Sequence, residues 1–166
     1  MRTLKPLAHA AIPRAIERAE RYRLLNEPLE AESICLDVLA TEPGHRQALI
    51  TLLLALSDQF EDALSDTVVR AQEVLAQLSD EYERAYYTGL ICERRAKAQL
   101  RRAGPGSGYT AFASFQEAMD WYERAEARRP AGNDDALLRW NTCARILDRR
   151  PDLVPVPEDR SEPPLE

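Results

Sequence analysis

Two stretches of this chain repeat one pattern. Ala31, Cys35, Val38 and Pro43 stand at offsets 0, 4, 7 and 12, and Ala118, Tyr122, Ala125 and Pro130 repeat those offsets. On a helix of about 3.6 residues per turn the first three positions share a face. The small residues on that face let a neighbouring helix approach closely, and the larger one fills the gap between helices. Proline then ends the helix. The repetition predicts a chain built from recurring helical units.

Apolar spacing elsewhere is helical too. It predicts seven helices, at about Ala11–Leu25, Pro28–Ala40, Gly44–Ser57, Asp62–Leu78, Asp80–Arg102, Ala111–Arg128 and Asp134–Arg149. Pro13 and Pro28 suit first turns, where the missing N–H costs nothing. The third segment is almost wholly apolar from Ala48 to Leu56 and is expected to be buried between neighbours. Only six glycines and few β-branched residues favour helix over sheet. The loop Gly104-Pro105-Gly106-Ser107-Gly108 separates the fifth segment from the sixth.

These patterns resemble the tetratricopeptide repeat (TPR) family, whose second helix carries the small, aromatic, small and proline positions. The match extends to Ala19 and Tyr22, and to Leu49, Leu52, Leu53 and Leu56. It continues in Ala85-Tyr86-Tyr87-Thr88-Gly89-Leu90, with Gly89 at a close-contact site, and covers roughly residues 12–148. Residues Asp62–Leu78 depart from it, and about 17 residues are inserted between Gly89 and Ala118. The resemblance implies an all-α fold: a right-handed solenoid of antiparallel helix pairs, about seven helices in all. The domain would span 1–150, with a long inserted hairpin at about 93–116. Residues 151–166 would form an acidic, proline-rich, flexible tail.

The family binds partner segments in a concave groove lined by its first helices. The matching residues here are Ile16, Glu20, Gln47, Ile50, Leu54, Ser57, Tyr86, Leu90, Glu93, Arg94, Leu137 and Asn141. That groove is apolar with a few polar edges, which implies a protein or peptide partner with hydrophobic anchors. A subgroup grips acidic C-termini with Lys, Asn and Arg. Its positions fall here on Ile16, Glu20, Thr51, Glu83 and Tyr87, none of them a cation, so that variant is not expected.

Charge narrows the partner further. The formal net charge is −6, and residues 152–166 hold Asp152, Glu158, Asp159, Glu162 and Glu166 against Arg160 alone. An acidic balance disfavours nucleic acid. The one contrary signal is Arg94–Arg102, with five cations and no interleaved aromatic for base stacking. Binding of nucleic acid or another anion by that helix is the alternative reading. A solvated helix end is the plainer account of the same cations.

Chemistry is not expected. Cys35, Cys92 and Cys143 are scattered, form no CxxC pair and fall at core positions. Neither His9 nor His45 has a Cys or second His within four residues, so no metal or other cofactor is implied. The glycine loop lacks the Lys-Ser/Thr of a phosphate cradle. No apolar run reaches about 18 residues, so no membrane span is expected. The basic, interrupted first 25 residues do not read as a secretory signal. The expectation is a cytoplasmic adaptor or scaffold rather than an enzyme, with homo-oligomerisation left open. Adjacent helix residues point about 100° apart, so at most one of each pair Tyr86-Tyr87 and Trp121-Tyr122 is expected in the core, and the other is available to pack or bind.

Overall fold

The structure, a computed structural model, describes residues 2–157, apart from the side chains of residues 63–65. Among the described residues a single 3-10 turn, His9–Ala11, leads into seven helices. They are α1 (Ile12–Leu24), α2 (Pro28–Thr41), α3 (Arg46–Asp58), α4 (Phe60–Leu75), α5 (Glu81–Arg102), α6 (Ser107–Glu126) and α7 (Asp135–Arg149). No strand occurs among the described residues, and none of the described helices is long and apolar enough to cross a membrane.

Local chemistry sets the helix ends. Pro13 and Pro28 occupy first-turn positions of α1 and α2. The His45 ring accepts a hydrogen bond from the Ala48 amide at 3.2 Å and caps α3. Asp80 caps α5 by accepting from the Glu83 amide at 2.8 Å. His9 lies against Glu42 at 3.1 Å.

Each helix packs on the next, and α1 also meets α3 as α3 meets α5. Helix α5 stands between two cores. Ile91 and Ala98 join the cluster of α1 to α4, while Ala85, Cys92 and Ala96 join that of α5 to α7. The repeated pattern sits where the cores are tightest: Ala31, Cys35, Val38, Ala118, Tyr122 and Ala125 are all 0% exposed. The three thiols are buried as well, and burial pushes each up to about 12, so little thiolate forms near neutral pH.

Gly89 shows how close α5 and α6 come. A Cβ there would lie 2.8 Å from two Tyr122 ring carbons and 3.2 Å from the Ala118 carbonyl oxygen. The ring is enclosed and tethered by its hydroxyl, so it cannot swing aside. Gly89→Ala is expected to destabilise the protein by about 1–3 kcal/mol, despite alanine's better helix propensity. Urea unfolding followed by circular dichroism measures this.

The glycine loop is shorter than the sequence suggests. Only residues 103–106 connect α5 to α6, and Ser107 and Gly108 already belong to α6. Glycine is tolerated there for a tertiary reason. A Cβ at Gly108 would meet the Asp152 carbonyl oxygen at 2.9 Å, where the chain beyond α7 crosses the first turn of α6. Leu153, just after it, is 4% exposed and packs into the α5–α7 core. The first part of the expected tail is thus fastened to the body. Residues 158–166, which hold most of its acidic groups, lie outside the described residues.

Candidate functional site: a charged cleft across four helices

A cleft of about 410 Å3 is lined by α1, α3, α5 and α7, with the first residues of α4. Its volume lies within the range of about 300–1,000 Å3 common for ligand sites. Five cations face it: Arg23 from α1, Arg94, Lys97 and Arg101 from α5, and Arg139 from α7. The α5 cations follow one another by three and four residues, which puts them on one helix face.

Asp58 ties the first half together. At the end of α3 it meets the unfavourable pole of the helix dipole, and two guanidiniums offset this. Arg23 Nε donates to Asp58 Oδ2 at 2.8 Å, and Arg94 Nη1 donates to Asp58 Oδ1. The same Arg94 nitrogen donates to the Ser57 hydroxyl at 2.6 Å and to the Leu54 carbonyl at 3.3 Å. One arginine therefore fastens α5 to the last turn of α3.

Glu93 ties the second half and is 0% exposed. Tyr122 of α6 donates its hydroxyl to Glu93 Oε2 at 2.7 Å, and Arg139 Nη1 donates to Glu93 Oε1 at 3.2 Å. Lys97, one turn along, donates to the same Oε1. Burial alone would raise the Glu93 carboxyl, but Lys97, the Tyr122 hydroxyl and Arg139 together hold it below the usual carboxylate range. Burial, reinforced by the neighbouring carboxylate, pushes the Tyr122 phenol well up. Burial opposes the charge on Arg139, and Glu93 more than restores it.

Arg101 pairs with Glu61, and Arg102 reaches the Glu61 and Asp62 carbonyls at 3.2 and 3.4 Å. Five cations thus stand against Asp58, Glu61 and the underlying Glu93, a local excess of two positive charges in a chain of net charge −6. The arrangement can grip an anionic group. Arginine forks suit carboxylates and phosphates.

The residues of the expected groove are placed unevenly. Ile16, Ile50 and Leu90 are 7%, 5% and 2% exposed and belong to the core, where they offer a partner little area. Gln47 donates to Glu20 at 2.8 Å, joining α3 to α1. Leu54, Tyr86, Leu137 and Asn141 are half-buried, and Arg94 is at the centre of the cleft. Tyr86 stacks on Tyr82 and lies edge-on to Tyr87, with ring centroids 5.9 and 5.1 Å apart. Trp121 is half-buried beneath Arg124, whose guanidinium carbon lies 4.4 Å from the ring centroid.

The cations of Arg94–Arg102 do not act as one patch. Arg94, Lys97 and Arg101 face the cleft. Arg95 turns to Ser114 and Glu117 of α6, and Arg102 to α4. Sequence reasoning missed Arg23, Asp58 and Arg139 altogether. Their pairings span 35 to 46 residues, and no local spacing announces them. Comparison of the chain with models of known families, with curated proteins and with solved structures finds no match.

Proposed function

We propose that this chain is a TPR-like adaptor that works by binding a segment of a partner protein, not by catalysis. In this reading α1–α2, α3–α4 and α5–α6 are antiparallel pairs, and α7 opens a fourth unit. The odd-numbered helices form the concave side of a right-handed solenoid. One observation carries the reading: Arg23, Asp58, Arg94 and Arg139, one from each odd-numbered helix, meet around one cleft. Half-buried Leu54, Tyr86 and Leu137 lie on the same odd-numbered helices, outside the cleft's lining, and would extend the surface with apolar contacts, while the cations supply orientation. Three buried free thiols suit a reducing compartment such as the cytoplasm.

Photo-crosslinking tests the surface directly. A photoreactive residue in place of Arg101 should form an adduct with the partner in cells. The same residue at exposed Glu30 of α2 should not. Adducts at both positions, or at Glu30 alone, would contradict the assignment.

A further inference from the structure

A second hollow lies between the end of α4 and the first turns of α5, with the later turns of α6 as its other wall. It measures about 440 Å3 and shares no lining residue with the cleft. We infer that it is a second docking site, which takes an acidic segment of a partner protein carrying a bulky apolar side chain. This site goes beyond the adaptor reading of the cleft and stands or falls apart from it.

Helical spacing builds the walls. On α5, Glu81, Arg84 and Thr88 stand at offsets 0, 3 and 7, and on α6, Trp121, Arg124 and Arg128 do the same. Each trio lies along one face of its helix. Arg128 Nε donates to Glu81 Oε2 at 2.9 Å and ties the two faces together. The floor is apolar: Leu75 of α4 and Ala85 of α5 are buried, and Trp121 is half-buried beside them. The volume lies within the range of about 300–1,000 Å3 common for binding sites.

Unmet donors select the occupant. Among the described residues that line the hollow, Glu81 is the one carboxylate, and Arg128 holds it. Among the described residues, the guanidiniums of Arg84 and Arg124 make no hydrogen bond or ion pair, and the Trp121 indole N–H donates to no acceptor. Three arginines against one glutamate leave a local excess of two positive charges in a chain of net charge −6. The occupant must therefore bring acceptors, and carboxylates match the arginine forks. Arg124 is already set for this. Its guanidinium carbon lies 4.4 Å from the Trp121 ring centroid, and a stacked guanidinium keeps its N–H edge free. Tryptophan and arginine are also the side chains on which interfaces most often depend.

The same features favour a protein segment over other anions. Glu81, Arg84, Arg124 and Arg128 are exposed, so the hollow is an open trough, about 10 Å long from Glu81 to Thr88. A small ligand there would keep much of its surface in water, whereas a chain can cross the trough and seat one side chain in it. Nucleic acid would need successive aromatic faces for its bases. The lining offers one ring, and Arg124 covers one of its faces.

Fluorescence anisotropy tests this on the full chain. The probes are short fluorescein-labelled peptides in which Leu, Phe or Trp stands between pairs of Glu, and the same peptides with Gln in place of Glu. At least one acidic probe should bind wild type, more weakly as salt rises, and its Gln counterpart should bind at least tenfold more weakly. Arg84→Glu and Arg124→Glu, both at exposed positions and checked for folding by circular dichroism, should each lower the affinity at least tenfold. Arg101→Glu, whose arginine is paired with Glu61 at the cleft, should leave it unchanged. Absence of binding by every acidic probe, equal binding of the Gln peptides, affinity unchanged in Arg84→Glu or Arg124→Glu, or loss of binding in Arg101→Glu would each overturn the inference. So would a labelled oligouridylate that binds more tightly than every peptide and is lost in Arg84→Glu, which assigns the site to nucleic acid.

Discussion

Glu93→Ala is expected to destabilise the protein by about 3 kcal/mol, the low end for breaking a buried ion pair by removing one partner. The carboxylate accepts from Tyr122, Arg139 and Lys97, and it is fully enclosed. Its removal leaves the Tyr122 hydroxyl without its acceptor and two cations without their shared counter-charge. The low end applies because Lys97 and Arg139 are 36% and 35% exposed and recover some hydration. Glu93→Gln should show the pH dependence. The folded carboxyl lies below its ordinary range, so its contribution is present above that range and is lost as pH falls through the folded pKa. The stability gap between wild type and Glu93→Gln should therefore be full at pH 7 and close in acid. Urea unfolding at several pH values measures both. A gap that stays constant into acid would contradict a charged Glu93.

Tyr122→Ala should cost about 3–5 kcal/mol, the usual range for emptying a large buried aromatic site. The ring is 0% exposed and fills the space opposite Gly89, between α5 and α6. Tyr122→Phe keeps that volume and removes only the hydroxyl, so it should cost about 1–2 kcal/mol. The Glu93 and Tyr122 effects share one hydrogen bond and should not add. A double-mutant cycle between Glu93→Gln and Tyr122→Phe should return a coupling of about 0.5–3 kcal/mol. The consequence reaches the cleft, because Glu93 holds Lys97 and Arg139 on its wall. The α5–α6 packing and the cleft's charge pattern thus depend on the same residues.

Much of the helical architecture was legible because it is written in short-range periodicity. The offsets of Ala31, Cys35 and Val38, and of Ala118, Tyr122 and Ala125, marked faces that are fully buried. The helix bounds expected from apolar spacing and proline fall within a few residues of the observed ones for most elements. Gly108 misled, because its glycine answers to the Asp152 backbone rather than to its own loop. The site was less legible. Ile16, Ile50 and Leu90 belong to helices packed by neighbours on more than one side, so positions expected to line a groove lie in the core. Arg94 and Glu93 were visible as groove residues, but their roles depend on Asp58, Tyr122 and Arg139. Those partners are brought in by tertiary packing across 29 to 46 residues, which no helical period encodes.

The central claim is that the cleft spanning α1, α3, α5 and α7 is the working surface. Affinity capture from the native cell extract tests it most directly, with wild type, Arg101→Glu and Glu30→Arg compared at equal concentration after circular dichroism shows all three folded. Arg101 is largely exposed and lines the cleft, whereas Glu30 is exposed on α2, so neither change should disturb the core. The account predicts a protein retained by wild type and by Glu30→Arg, and reduced at least tenfold by Arg101→Glu. The same proteins captured in equal amounts by all three would contradict it.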